Sequence, residues 1–199
     1  MSRLPTDGAR DLWELPDSLR ALVENELDEG ETVIWVGRPS TRRMLWRALP
    51  LVLFAIPWTA FAIFWTFGAA GFKVPNFQQG SDFFALFGIP FILIGLGMFS
   101  SPYWVARSAK KTVYALTNRR AIVFAGGWWT SVRSFSPDRL NDLSRVQRSD
   151  GSGDLIFESR VNYGSDNNRR TTEAGFMAIP NVKHVEDLVR QVAQTAKKT

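Results

Sequence analysis

The chain has 199 residues, a formal net charge of +5 at pH 7 and no cysteine, which excludes disulfide frameworks, thiolate metal sites and cysteine nucleophiles. Residues 1–47 carry seven basic and nine acidic side chains, residues 48–106 one of each, and residues 107–199 sixteen basic and nine acidic ones. Because anionic lipid attracts Lys and Arg, the basic C-terminal part favours contact with a membrane surface over nucleic acid. A bias that only sets membrane orientation is the alternative explanation.

The N-terminal part predicts a polar arm, a helix and a strand. Residues 1–15 are expected to form a flexible arm, and the first apolar segment lies too deep in the chain to be a signal peptide. Residues 16–27 predict a helix whose apolar stripe needs a partner, either the later domain or the membrane surface. Residues 32–36 are β-branched and aromatic, as in a strand, and the predicted cytoplasmic segment spans 16–40. The stripe consists of Leu19, Leu22, Val23 and Leu27.

Two apolar segments without charged residues, 48–72 and 83–106, dominate the middle of the chain. Each exceeds the roughly 20 residues that a helix needs to cross a bilayer. We therefore predict a transmembrane hairpin with helices at 44–72 and 83–106 and an external turn at 73–82. Since neither span holds an ionisable residue, the sequence argues against a proton or ion path.

Basic residues flank the predicted hairpin on one side, which by the positive-inside rule puts both termini in the cytoplasm and the turn on the other side of the membrane. The flanking residues are Arg38, Arg42, Arg43, Arg47, Arg107, Lys110 and Lys111. Aromatic side chains at the same ends are typical interfacial anchors, namely Trp46, Tyr103 and Trp104. Gly88 and Gly95 lie seven residues apart, so they share one helix face, either within the hairpin or in a dimer contact.

After residue 107 the pattern changes to short strands at roughly ten-residue spacing, as in an antiparallel barrel or sandwich. The predicted strands are 112–117, 121–125, 128–135, 143–148, 154–158 and 176–179, with a long polar loop at 160–172. A final helix is expected after Asn181, its proposed N-cap. The fold class is thus membrane-anchored α+β: a two-helix transmembrane hairpin plus a C-terminal β-domain at 107–199 that is capped by a helix.

No catalytic constellation is recognisable in the sequence. His184 is the only histidine and has no paired metal-ligand motif, and Gly151 to Gly153 lack the Lys and Ser/Thr of a phosphate-binding loop. We therefore expect no enzyme activity, no cofactor and no metal. Basic pairs in a predicted turn and loop are candidate contacts for lipid headgroups, namely Arg119, Arg120, Arg169 and Arg170. The alternative for Arg119 and Arg120 is a structural role in the turn. Trp128 and Trp129 are adjacent, so in a strand one of them faces outward as a membrane anchor or a partner contact.

Three stretches, in this order, resemble the bacterial pleckstrin-homology-like membrane proteins, a family long catalogued as a domain of unknown function. They are residues 30–39 (Gly-Glu-Thr-Val-Ile-Trp-Val-Gly-Arg-Pro), residues 114–123 (Tyr-Ala-Leu-Thr-Asn-Arg-Arg-Ala-Ile-Val) and residues 151–157 (Gly-Ser-Gly-Asp-Leu-Ile-Phe). The third is followed by Gly175-Phe176 and by Ile179-Pro180-Asn181-Val182. The resemblance implies two packed antiparallel sheets that are capped by the C-terminal helix, and no enzyme activity.

We interpret the chain as a binding or scaffolding module that is held at the cytoplasmic face of the membrane. Its expected partners are the bilayer and either an unidentified protein or further copies of itself, with no nucleic acid. One alternative is recognition of anionic lipid by the basic domain. Another is an accessory subunit of a membrane enzyme or transporter.

Overall fold

We describe residues 8–71, 86–140, 142–163 and 169–197 in a computed structural model, with side chains from residue 11 onward except at 161–170. The chain is α+β and divides into two compact units. One unit is Arg42–Ala106, which holds the two apolar segments. The other combines the residues before it with those after it, Met1–Thr41 and Arg107–Thr199.

The described elements follow in chain order. The helices are α1 (Gly8–Trp13), α2 (Asp17–Glu24), α3 (Thr41–Ala69), α4 (Gly88–Phe99), α5 (Ser101–Lys110) and α6 (Val182–Ala196). The strands are β1 (Val33–Gly37), β2 (Val113–Thr117), β3 (Ala121–Ala125), β4 (Ser131–Phe135), β5 (Ser144–Gln147), β6 (Gly153–Tyr163) and β7 (Arg169–Ile179).

The apolar unit contains α3 and α4, which pack through small side chains. A Cβ atom at Gly95 would collide with Thr59, and one at Gly88 would collide with Thr66. The predicted shared face of the two glycines is thus confirmed as a contact within this unit, where the missing side chains allow close backbone approach. The Trp58 indole adds a hydrogen bond across the same contact, donating to the Phe91 carbonyl at 3.1 Å. The predicted external turn lies outside the described residues.

Both apolar segments form helices that are long and apolar enough to cross a membrane, Thr41–Ala69 and Gly88–Lys110. Only 17% and 6% of their most apolar 18-residue windows are buried inside the protein. The core helix of a soluble domain would bury such a face against its neighbours. These helices instead expose rings and aliphatic chains such as Phe61, Phe64 and Leu93 on most of their surface.

The second unit consists of two antiparallel sheets, with strand orders β1-β2-β3-β4 and β5-β6-β7. The described strands form no closed barrel, so of the two predicted architectures the sandwich is the closer one. Strand β1 lies before the apolar helices in sequence, yet it pairs with β2, with Val36 opposite Ala115. The β-domain expected at 107–199 is therefore completed by a strand from the N-terminal part.

All five residues of β2 are buried because both faces of the first sheet are covered. Tyr114 and Leu116 face the core between the sheets, which α6 closes with its apolar stripe. Val113 and Ala115 face a second cluster that is covered by α1 and α2. The N-terminal residues in that cluster are Leu12, Leu15, Leu19 and Val23. The partner of the predicted N-terminal stripe is therefore the β-domain, and the expected irregular arm is helical from residue 8 to residue 13.

Two predictions about the later strands are wrong. The strand expected at 128–135 begins only at Ser131, because Gly126 and Gly127 open a turn that includes both tryptophans. The loop expected at 160–172 is largely strand, since β6 and β7 form one long hairpin with Arg160 opposite Thr172. Ladder hydrogen bonds form between polar residues as readily as between apolar ones, so composition alone misleads here. At the start of α6, Asn181 is the N-cap but has φ of 47° and no side-chain capping bond.

Candidate functional site

The turn between β2 and β3 holds the first predicted headgroup contacts, and Arg120 there is already engaged by the protein. Its guanidinium donates to the Glu31 carboxylate at 3.0 and 2.9 Å, to the Glu26 carbonyl at 2.9 Å and to Asp28 at 3.1 Å. The Thr117 hydroxyl donates to the same Glu31 carboxylate at 2.6 Å. Arg120 thus fastens the segment before β1 to the turn after β2 and is not available to a ligand.

Glu31 is the buried partner in this network, with a fully inaccessible side chain. Burial alone would raise its pKa. The hydrogen bonds from Arg120, the Asp28 amide and Thr117, together with the charge of Arg120, outweigh burial and lower the pKa of Glu31 from 4.5 to about 2. The hydrogen bond to Glu31, together with the charges of Glu31, Asp28 and Glu26, raises the pKa of Arg120. The pair is therefore ionised at neutral pH, which suits a permanent brace between two chain segments.

The other three predicted headgroup residues lie next to Arg120 in the same turn or in the β6–β7 hairpin. Arg119 is exposed beside it, while the neighbouring Asn118 side chain accepts a hydrogen bond from the Thr32 amide at 3.0 Å. Arg169 and Arg170 open strand β7, opposite Tyr163 and Asn162, and their side chains lie outside the described ones. Their placement at the far end of the long hairpin contrasts with the loop that the sequence predicts.

A basic cleft that the sequence does not predict lies between β4 and the β6–β7 hairpin, with a volume of about 490 Å³. Its charged lining consists of three arginines and one glutamate: Arg133, Arg139, Arg160 and Glu158. Glu158 accepts hydrogen bonds from the Arg160 Nε at 2.8 Å and from an Arg139 Nη at 2.6 Å. The bond from Arg160 is the largest cause that lowers the pKa of Glu158, followed by that from Arg139. The cleft therefore keeps a net positive charge around one fixed carboxylate.

The chemistry of this cleft is that of an anion site. Arginine guanidinium groups present fixed forks of donors that match carboxylate and phosphate oxygens. Ser134 and Thr172 add hydroxyl groups to the lining, and Phe135 and Ala174 add an apolar wall. Sequence reasoning missed it because its residues come from three separate segments, which only the long hairpin and the turn after β4 bring together.

The remaining buried acids have structural partners. Asp154 accepts a hydrogen bond from the Ala178 amide at 2.6 Å, where the backbone adopts a φ of 54°. Glu186 on α6 is paired with Arg145 and Arg190. Among the described residues, no group of three or more His, Cys, Asp or Glu side chains could hold a metal ion. These acids thus stabilise the fold.

The predicted interfacial anchors are all exposed. Trp46 lies in α3 near its start, and Tyr103 and Trp104 lie in α5, where their rings meet edge to face with centroids 5.4 Å apart. Trp128 and Trp129 are the most exposed large apolar side chains described, at 84% and 90%. The prediction that one of these two points inward is wrong, because they belong to a turn and not to a strand.

No family model matches this chain, and neither a curated protein nor a solved structure matches it.

Proposed function

We propose that this chain is a non-enzymatic protein of the bacterial inner membrane that holds a pleckstrin-homology-like domain at the cytoplasmic face as a binding module for protein partners or for copies of itself. One observation carries the proposal. Strand β1 precedes the apolar helices and pairs with β2, which follows them. If α3 and the helix ending at Lys110 both cross a bilayer, the chain returns to the side it left, as this pairing requires.

The composition of the two helices supports the membrane part of the proposal. They expose an apolar surface that water disfavours and that lipid tails accept. Arg42, Arg43 and Arg47 precede the first crossing, whereas Arg107 and Lys110 follow the second. By the positive-inside rule, this distribution favours a cytoplasmic position for the β-domain.

The order of elements supports the pleckstrin-homology-like part. A four-stranded and a three-stranded antiparallel sheet are followed by one helix that closes the core, as the resemblance of residues 30–39, 114–123 and 151–157 implies. A binding module acts through the exposed surfaces that its partners contact. The exposed edge strands β4 and β5 are the surfaces that this domain offers to a partner.

Site-specific photocrosslinking in cells tests this proposal. A photoreactive phenylalanine derivative replaces Val132 in β4 or Val146 in β5, both of which are exposed. The matched control carries it at Leu93 in α4, where only lipid is expected. We expect a reproducible protein adduct or a dimer from at least one strand position and not from the control. A monomer without adducts at both strand positions would contradict the proposal.

A second function, recognition of anionic lipid, is favoured by the basic cleft. Its three arginines carry more positive charge than the single carboxylate of Glu158 neutralises. This excess charge would attract an anionic surface or headgroup. Such binding weakens as salt screens the charges. The full chain in nanodiscs of zwitterionic lipid should therefore bind acidic vesicles at low salt and lose them at high salt.

The cleft is responsible for vesicle binding only if its own arginines are required for that binding. Replacing Arg133, Arg139 and Arg160 by Gln should abolish vesicle binding. Replacing three exposed basic residues of α6 and its C-cap by Gln, namely Lys183, Arg190 and Lys197, removes the same charge and should weaken it only modestly. Equal losses from the two variants would show that net charge, and not the cleft, is responsible.

A further inference from the structure

The turn between β3 and β4 carries two large aromatic side chains that the domain does not bury. Trp128 and Trp129 are 84% and 90% exposed, whereas the aromatic residues of the flanking strands, Phe124 and Phe135, are buried. A turn that only reverses the chain needs small or polar residues. Two adjacent indoles in such a turn would leave a large apolar surface in water, which soluble domains tend to avoid.

This turn is fastened to the end of helix α5. The Ser108 hydroxyl donates to the Gly126 carbonyl, and the Gly126 amide donates to the Thr112 hydroxyl at 3.1 Å. Lys111 reaches the Gly127 carbonyl from its Nζ at 3.5 Å. The backbone of Lys111 also lies so close to Gly126 that a Cβ atom there would collide with it. The two tryptophans are thus held beside the point where the second apolar helix ends.

That point has the chemistry of a membrane interface. Arg107, Lys110 and Lys111 supply positive charge at the helix end. Four residues separate Trp104 from Ser108 along α5, a rise of roughly 6 Å at about 1.5 Å per residue. Trp and Tyr concentrate at the headgroup level because their rings are apolar and their polar atoms reach water. If Trp104 lies at the headgroup level of a bilayer, Ser108, to which the turn is bonded, lies within roughly 6 Å of that level along the helix.

We infer that Trp128 and Trp129 form a second membrane contact, in which the β3–β4 turn inserts its indoles into the headgroup region of the bilayer that the chain's own helices cross. This inference rests on the proposed membrane insertion. It assigns the bilayer, and not a protein, as the occupant of the exposed pair, because the bonds to Ser108, Thr112 and Lys111 fix the pair to the helix end. The domain would then be held at a defined height above the lipid.

Spin labels on single cysteines test the inference, and the chain is suited to it because it contains no cysteine of its own. The full chain is reconstituted in liposomes with the label at Trp129→Cys. Collisions with oxygen, which concentrates in lipid, are compared with collisions with a water-soluble nickel complex. Leu93→Cys in α4 and Val146→Cys in β5 serve as the lipid and water references, since both native side chains are exposed.

We expect the label at 129 to shift toward the Leu93 reference and away from the Val146 reference. A label at 129 as accessible to nickel as the one at 146, with the label at 93 in lipid, would overturn the inference and leave the proposed function intact. A label at 93 in water would overturn both. Trp128→Cys repeats the measurement with Trp129 retained, so that the result does not depend on the loss of one particular indole. Circular dichroism verifies that each variant folds.

Discussion

The two units of this protein treat apolar side chains in opposite ways. Phe176 in β7 is fully buried among the rings of Trp35, Tyr114 and Phe157, with centroids 4.9 to 5.3 Å away. Leu93 in α4 is 61% exposed, and other large apolar side chains of that helix, such as Ile94 and Leu96, are exposed as well. The β-domain therefore obeys the rule for proteins in water, while the helical unit inverts it. This is the difference expected if lipid surrounds the helical unit, as the proposed function requires.

The largest expected effect concerns the core of the β-domain. Replacing Phe176 by Ala should destabilise the β-domain by about 3–5 kcal/mol, because it removes the ring that joins β1 to β7 and leaves a cavity. Chemical denaturation of the purified full chain in detergent, followed by near-UV circular dichroism, measures the loss. Replacing the exposed Val132 by Ala is the control and should change the free energy of unfolding by less than about 0.5 kcal/mol. Equal effects would contradict the assignment of the core.

A charge in the helical unit sharpens the comparison. Replacing Leu93 by Arg should disfavour membrane insertion by about 2.5–3.5 kcal/mol, because an arginine near a span centre must leave water. A cell-free insertion assay measures the inserted fraction. The same change at Val146, which is also exposed but lies in the β-domain, should leave both insertion and folding unchanged. If Leu93→Arg inserts like the native chain, the helices are not surrounded by lipid.

A smaller effect is expected at the Glu31–Arg120 brace. Replacing Glu31 by Gln should destabilise the β-domain by about 2 kcal/mol, below the 3–5 kcal/mol of a fully buried pair, since Arg120 keeps Asp28 and some solvent. Replacing Asp17 by Asn removes an exposed ion pair with Arg20 and should cost under about 1 kcal/mol. Thermal unfolding of the three proteins distinguishes these outcomes, and equal midpoints would contradict the role of the brace.

The brace also predicts a pH dependence. The folded pKa of Glu31 is about 2, below its usual 4.5, so the folded state binds the proton less readily than the unfolded state. The stability from this group is fully present above about pH 4.5 and is lost as the pH falls toward 2. Between pH 5 and 3, the native protein should therefore lose more stability than Glu31→Gln. Parallel pH profiles would contradict the lowered pKa.

The sequence predicted elements well where periodicity is strong. The two apolar helices, strands β2 and β3 and helix α6 begin and end within a few residues of their predicted positions, except where residues 72–85 are not described. It failed where the structure depends on long-range pairing. The hairpin of β6 and β7 extends through polar residues because each strand satisfies the other's backbone, a property that composition does not report.

The site residues show the same limit. Arg120 is a basic residue in a predicted turn, as a headgroup ligand would be. Its guanidinium is nevertheless paired with Glu31, which lies 89 residues away in sequence. Arg133 and Arg160 carry no local motif, yet they meet at one cleft. A single sequence reveals which residues are charged but not which charges are neutralised by the fold, because that depends on contacts between distant segments.

The proposed function requires that the chain crosses the membrane twice and returns to the cytoplasm. Labelling of single cysteines with a membrane-impermeant maleimide in intact bacterial cells tests it directly. With Gln79→Cys, in the segment between the two apolar helices, we predict labelling of intact cells. With Val146→Cys, we predict labelling only after the membrane is opened. Labelling of both positions in intact cells would contradict the account, as would labelling of Gln79→Cys only in lysed cells.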